Sequence, residues 1–133
     1  MEPEVRVGIR SSVDVVAARQ QARALASRLG FSNSNLTIIA TAISEIARNI
    51  IEYAKEGELR MMLVESGVRR GVRIVAEDSG PGIADVSIVM RDGYSTGHGL
   101  GIGLPGSRRL MDDFEIQSVV GKGTTITMTK WVP

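Results

Sequence analysis

A two-layer α/β sandwich is the fold this sequence predicts: a mixed sheet of about five strands, helices on one face, the other face exposed to solvent. Three observations predict it. Val5, Val7 and Ile9, Phe114 and Ile116, and Ile126 and Met128 alternate with polar residues, as strands of a half-buried sheet do. Two longer stretches instead repeat their apolar residues at helical spacing. No internal repeat, linker or low-complexity tract separates these segments. At 133 residues the chain suffices for one domain with a real core, so residues 1–133 are read as a single domain.

The elements follow in order. Val5 to Ile9 reads as a short strand. Ser11, three residues before Asp14, marks a helix start and Gly30 its stop, with Val15, Val16, Ala22, Leu25, Ala26 and Leu29 on the apolar stripe. A second helix runs from about Ser34 to Ala54, its stripe formed by Leu36, Ile39, Ile43, Ile46 or Ala47, and Ile50. Leu59 to Val64 and Val72 to Ala76 read as paired strands joined across Gly67 to Gly71. Asp85 to Met90 fits a short helix. Tyr94 to Gly103 is too rich in glycine for a regular element. Leu104 to Asp112 reads as helical, with Pro105 tolerated in the first turn. Phe114 to Val119 and Thr124 to Trp131 form a hairpin over Gly121-Lys-Gly123.

Composition excludes several classes of function. There is no cysteine and one histidine, His98. That removes thiol chemistry and disulfides, argues against zinc, and agrees with a cytoplasmic location. A net charge of +1 and a scattering of one Trp, two Tyr and two Phe give no footprint for nucleic acid. No apolar stretch is long enough to span a bilayer, and the charged N-terminus lacks the apolar core of a signal peptide. Neither nucleic acid nor membrane is therefore expected as a partner.

Three local patterns carry chemistry. The first is Glu45 and Asn49, four apart on the second helix and beside its apolar stripe. Asparagine is a poor helix former, yet it sits mid-helix here. Its amide oxygen is a hard donor of the kind magnesium accepts, and a carboxylate one turn earlier can serve as a base. The second is Asp78-Ser-Gly-Pro-Gly82. Counting by twos from Val72 places Asp78 on the buried face, where a carboxylate needs a partner: either its own turn amides or a ligand. The third is Gly97-His-Gly-Leu-Gly-Ile-Gly-Leu-Pro-Gly106, with five glycines in ten residues followed by a helix. Free amides ahead of a helix N-terminus make a phosphate cradle. Gly101 to Gly106 also satisfies G-x-G-x-x-G. It does not follow a strand, however, and no acidic residue ends a strand about 20 positions later, so a dinucleotide fold is not indicated.

Glu45…Asn49, then Asp78-x-Gly-x-Gly82, then the glycine run, in this order, resembles the GHKL ATPase superfamily with its Bergerat fold. Within it, Ile43-Ser-Glu-Ile-Ala-Arg-Asn-Ile50, Gly99-Leu-Gly-Ile-Gly-Leu-Pro-Gly106 and Arg109-Leu-Met-Asp112 are similar to the RsbT-type serine/threonine kinases of the stressosome. The resemblance runs from about Val15 to Trp131. It implies ATP and Mg²⁺. Asp78 would bind the adenine amino group with Gly80 and Gly82 beside the ring, and Thr124 or Thr125 would reach it through water. Asn49 would ligate Mg²⁺, and Glu45 would act as the base. The glycine segment would wrap the phosphates through Gly97, His98, Gly99, Leu100, Gly101 and Gly103. Relatives carry a basic residue one turn past the asparagine, where Glu52 and Tyr53 stand here. Arg48, Lys55, Lys122 and His98 are the other candidates for the phosphate charge.

The resemblance further implies a kinase that transfers phosphate to STAS-domain regulators (RsbS- and RsbR-like). Released from them, it would bind and activate a PP2C-type phosphatase (RsbU-like). With 14 residues between Gly82 and Gly97, the glycine segment is short enough to leave the γ-phosphate open to a protein substrate. Two alternatives stand beside it: an anti-sigma kinase that binds a sigma factor directly, and a nucleotide-sensing adaptor with little catalysis.

Overall fold

The computed structural model describes residues 4–84, 86–90 and 103–133. Five strands form one sheet: β1 (Val5–Ile9), β2 (Gly57–Ser66), β3 (Arg69–Asp78), β4 (Asp113–Val119) and β5 (Gly123–Trp131), in spatial order β1-β2-β3-β5-β4. Between them run α1 (Ser12–Ser27), α2 (Asn33–Ala54), the one-turn α3 (Val86–Val89) and α4 (Gly103–Leu110).

Every strand pairing is antiparallel, where a mixed sheet is expected from the sequence. The reason is the connection after β1. One helix would carry the chain back to the start of a parallel neighbour. Two helices, α1 and α2, return it to the end it left, so β2 must run opposite to β1. The β2–β3 turn is also tighter than the residues around it suggest. Ser66 pairs with Arg69 across Gly67 and Val68 alone. The strands run past the expected loop because Arg69 and Arg70 keep pairing at its rim.

The helices start where the sequence places their caps. At α1, Asp14 Oδ2 accepts from the backbone N–H groups of Ser11 and Arg10, at 3.2 and 2.8 Å. At α2, the Ser32 hydroxyl accepts from Asn35 N–H at 3.1 Å. Ala18, Ala22 and Ala26 of α1 are wholly buried, small residues one turn apart that let a second helix lie close. Ile39, Ile43, Ile46 and Ile50 of α2 fill the space over Leu59 and Met61, Val72, Ile74 and Ala76, and Ile126 and Met128. These strand residues share one face by alternation, so the helices cover a single side of the sheet.

The other face is polar but not bare. Arg69 lies over the Trp131 ring at 4.2 Å, and Arg73 Nε donates to Thr129 Oγ1 at 3.1 Å. Thr129 is only 1% exposed. The arginine stems spread over the middle of the face and keep the guanidinium groups wet. The Arg109-Leu-Met-Asp112 run is likewise structural. Met111 enters the core, and Asp112 Oδ2 accepts from Trp131 N–H at 2.7 Å, mooring the end of α4 to β5.

Lys55 closes α2 with φ 72° and ψ −37°, a conformation costly for any residue with a Cβ. Lys55→Gly is expected to raise stability by up to about 1 kcal/mol, since the relieved strain exceeds the flexibility added to the unfolded chain. A higher urea midpoint at unchanged slope is the check.

Candidate active site

The second helix is buried around most of its middle. Residues 42–47 are buried without interruption, because the sheet lies beneath, α1 on one flank and α4 on the other. Glu45 and Asn49 therefore sit deeper than the rim position their spacing suggests, at 9% and 7% exposure. Glu45 faces α4. Its Oε2 accepts from the backbone N–H of Gly103, the first residue of α4, at 3.2 Å; its Oε1 accepts from Arg48 Nη1 at 2.9 Å. A buried carboxylate with both oxygens engaged is held in one orientation.

Asn49 is different. Its carboxamide makes no hydrogen bond to any described residue, and its polar atoms keep a little contact with solvent. An amide oxygen so placed suits a hard cation or a ligand oxygen's proton.

Asp78 ends β3 on the helix-facing side, as counting by twos predicts. Its Oδ1 accepts from Gly80 N–H at 3.0 Å and Thr124 N–H at 3.3 Å. The turn-amide reading is thus correct for one oxygen. The other, Oδ2, has no hydrogen-bond partner among the described residues and remains an open acceptor.

The end of α2 meets the end of β3. A Cβ on Gly80 would lie 2.6 Å from Ala54 Cβ, and one on Gly57 would lie 2.8 Å from Ile50 Cγ2 and 3.2 Å from Asp78 Cβ. At 1.5 Å rise per residue, Asn49 is only about 7–8 Å along the helix from Ala54. Asn49 therefore lies near the end of β3 that carries Asp78 and on the same side of the sheet, while Glu45, about 13–14 Å along the helix from Ala54, lies nearer the helix middle beside α4. Gly80 and Gly82 are expected beside a ligand ring; here both also abut protein. Gly82, at φ 77°, has its Cβ position against the Val119 carbonyl oxygen.

Thr124 pairs in register with Asp78, and its residue is buried; Thr125 pairs with Glu77. Alternation puts Thr125 on the opposite face, so of the two threonines only Thr124 shares the face of Asp78. Gly97, His98, Gly99, Leu100 and Gly101 lie outside the described residues. Gly103, at φ 69°, is buried at the start of α4.

Ser118 is a residue that sequence reasoning missed. Its Oγ accepts from Ile83 N–H at 2.7 Å and lies 2.8 Å from Thr124 Oγ1. The observed register turns about Gly121 and pairs Ser118 with Thr124; a turn over Gly121-Lys-Gly123 would pair it with Ile126, so the sequence carried no usable signal. A recess of about 480 Å³ at this end is lined by Asp78 and Ser79 together with Glu56, Glu58, Glu77 and Arg10. Its carboxylates would repel phosphate.

Residues 11–130 match the family of histidine kinase-like ATPase domains. The chain belongs to that family. Within it the chain is an RsbT-type serine/threonine kinase: it is 48% identical over 132 residues to the serine/threonine-protein kinase RsbT of Bacillus subtilis, covering 99% of each. It is also 30% identical over 119 residues to the anti-sigma F factor of Caldanaerobacter subterraneus, covering 86% of this chain and 83% of that one. The solved structure of the RsbU and RsbW domains of a Mycobacterium tuberculosis protein superposes with a TM-score of 0.69 at 21% identity, covering 99% of this chain and 34% of that one. That likeness speaks to fold. No described helix is long and apolar enough to cross a membrane.

Gly80→Ala is expected to push the end of α2 off the end of β3. The new methyl meets helix backbone, with Ala54 Cα 2.8 Å away, so the cost should be about 1–3 kcal/mol in urea denaturation. Nucleotide binding should weaken alongside it.

Proposed function

We propose that residues 1–133 form one kinase unit that transfers phosphate from Mg-ATP to serine or threonine of STAS-domain regulators, and that Glu45, Asn49, Asp78 and Thr124 carry the reaction. The observation that carries this reading is Asn49: a carboxamide 7% exposed and without a partner among the described residues, one turn from a held carboxylate. Its polar atoms still reach solvent, so a ligand can replace water there.

The residues fit the ligand. Asp78 Oδ2 accepts from an adenine amino group, since Oδ1 is already fixed by two amides. The Asn49 amide oxygen would hold Mg²⁺, whose charge would offset that of the phosphates. Glu45 takes the proton of the attacking hydroxyl. Each of its oxygens accepts one hydrogen bond in the structure and keeps a second lone pair for that proton. Arg48, half exposed beside Glu45, is the described cation best placed to meet phosphate charge.

Binding and activation of a PP2C-type phosphatase, once the kinase leaves its substrates, is the second part of the proposal. It rests on similarity to RsbT-type proteins. The anti-sigma reading draws on the 30% identity to anti-sigma F factors. Co-purification with a sigma factor, and not with a STAS scaffold, would favour it.

Labelled ATP with a STAS-domain substrate tests the site. Asp78→Asn is expected to weaken ATP binding at least about tenfold, because an amide donor then faces the amino group. Glu45→Gln should leave ATP binding within a few-fold and slow transfer by about 10²–10⁴. Transfer that survives both changes would rule out this assignment.

A further inference from the structure

α2 and α4 pack side by side and run in opposite directions. At one end of their seam, Gly103 N–H donates to Glu45 Oε2 at 3.2 Å. Further along, a recess of about 270 Å³ opens between them, lined by Thr37, Ile38 and Thr41 of α2 and by Gly106, Arg109 and Leu110 of α4. Gly106 puts no side chain into the gap. Thr41 lies one turn before Glu45, and Gly106 about one turn after Gly103. The recess therefore begins roughly 5–6 Å along the helices from the Glu45 contact.

The recess is apolar within and basic at its rim. Ile38 and Leu110 are half-buried in it, and Thr37 and Thr41 are exposed on its wall. The Thr41 hydroxyl donates to the Thr37 carbonyl at 2.9 Å, so its hydrogen is not offered to a ligand. Arg48, Arg108 and Arg109 stand exposed along the seam. Between Thr37 and Arg48, and throughout α4, Glu45 is the one acidic residue. It is buried and held by Arg48 and the Gly103 amide. Beyond Leu110, Lys130 Nζ and Asp112 Oδ1 lie 3.7 Å apart and offset each other. The complement of such a seam is a segment with an apolar side chain flanked by acidic ones.

We infer that the α2–α4 seam seats the acidic segment of the protein substrate that adjoins its phosphoacceptor. An apolar side chain of that segment rests on Ile38 and Leu110, and its carboxylates face Arg108 and Arg109. This rests on the kinase reading above. A segment lying along the seam runs straight toward Glu45, the proposed base, so docking there delivers a hydroxyl to the reacting end of the site.

Thr41 tests the surface without touching the chemistry. It is exposed, and Glu and Lys are both better helix formers than Thr, so Thr41→Glu and Thr41→Lys should fold. In steady-state transfer to a STAS-domain substrate, Thr41→Glu is expected to raise the KM for that protein at least about tenfold, through like-charge repulsion. Thr41→Lys should raise it less than about twofold. For both variants kcat and the Kd for ATP should stay within about twofold. A KM unchanged in both, or raised equally in both, overturns acidic docking and leaves the kinase reading standing. A normal KM with lost activation of a PP2C-type phosphatase gives the seam to that partner and also overturns the inference. If the unaltered protein transfers no phosphate, the kinase reading fails, and calorimetry of the same variants with the STAS domain decides the surface by itself. Binding about tenfold weaker in Thr41→Glu alone then supports it, and equal binding overturns it.

Discussion

The close approach of a helix end to a strand end is the constraint on which the site depends. At 57 and 80 a methyl would strike Ile50 and Ala54 respectively, so glycine is what allows α2 to descend onto β3. That contact sets the height of Asn49 above the end of β3. Because packed interiors do not deform gradually, a small lift of the helix would shift Asn49 relative to Asp78. The antiparallel row from Gly57 through Asp78 and Thr124 to Ser118 supplies the matching floor. Its backbone amides orient one oxygen of Asp78 and leave the other open.

The two carboxylates of the site are treated differently, and their surroundings say why. Glu45 lies in the helix layer with a guanidinium on one oxygen and the first amide of α4 on the other. A charge 9% exposed is tolerated there because each oxygen has a donor. Asp78 lies at the open end of the sheet with one oxygen unsatisfied among the described residues, which water or a ligand can meet at little cost. The first arrangement suits a group held in reserve, the second a group that recognises.

Much of this was legible in the residues. Alternation in Val72–Ala76 and Ile126–Met128 fixed which side of the sheet would be buried, and so fixed the side of Asp78. The helical stripe of α2 located Glu45 and Asn49, though it understated their burial, because a stripe records the sheet beneath a helix and not the helices beside it. Strand direction escaped: a two-helix connection and a one-helix crossover look alike until the helices are known to pack against each other. Ser118 escaped because an isolated serine in a strand has no signature of its own. Its meaning comes from register, which depends on a turn whose length the sequence leaves open. Thr124 and Thr125 were inseparable for the same reason until pairing with Asp78 divided them.

One element, α2, contributes both the groups proposed to react and the central ridge of the core, with residues 42–47 all enclosed. Genetics of this protein will therefore confuse two kinds of defect. Substitutions at Ile43 or Ile46 that lower cellular abundance would be recovered next to substitutions at Glu45 that spare abundance and stop chemistry. Loss of signalling by itself would sort neither, and quantity of folded protein has to be scored for each variant before any position on this helix is given a role.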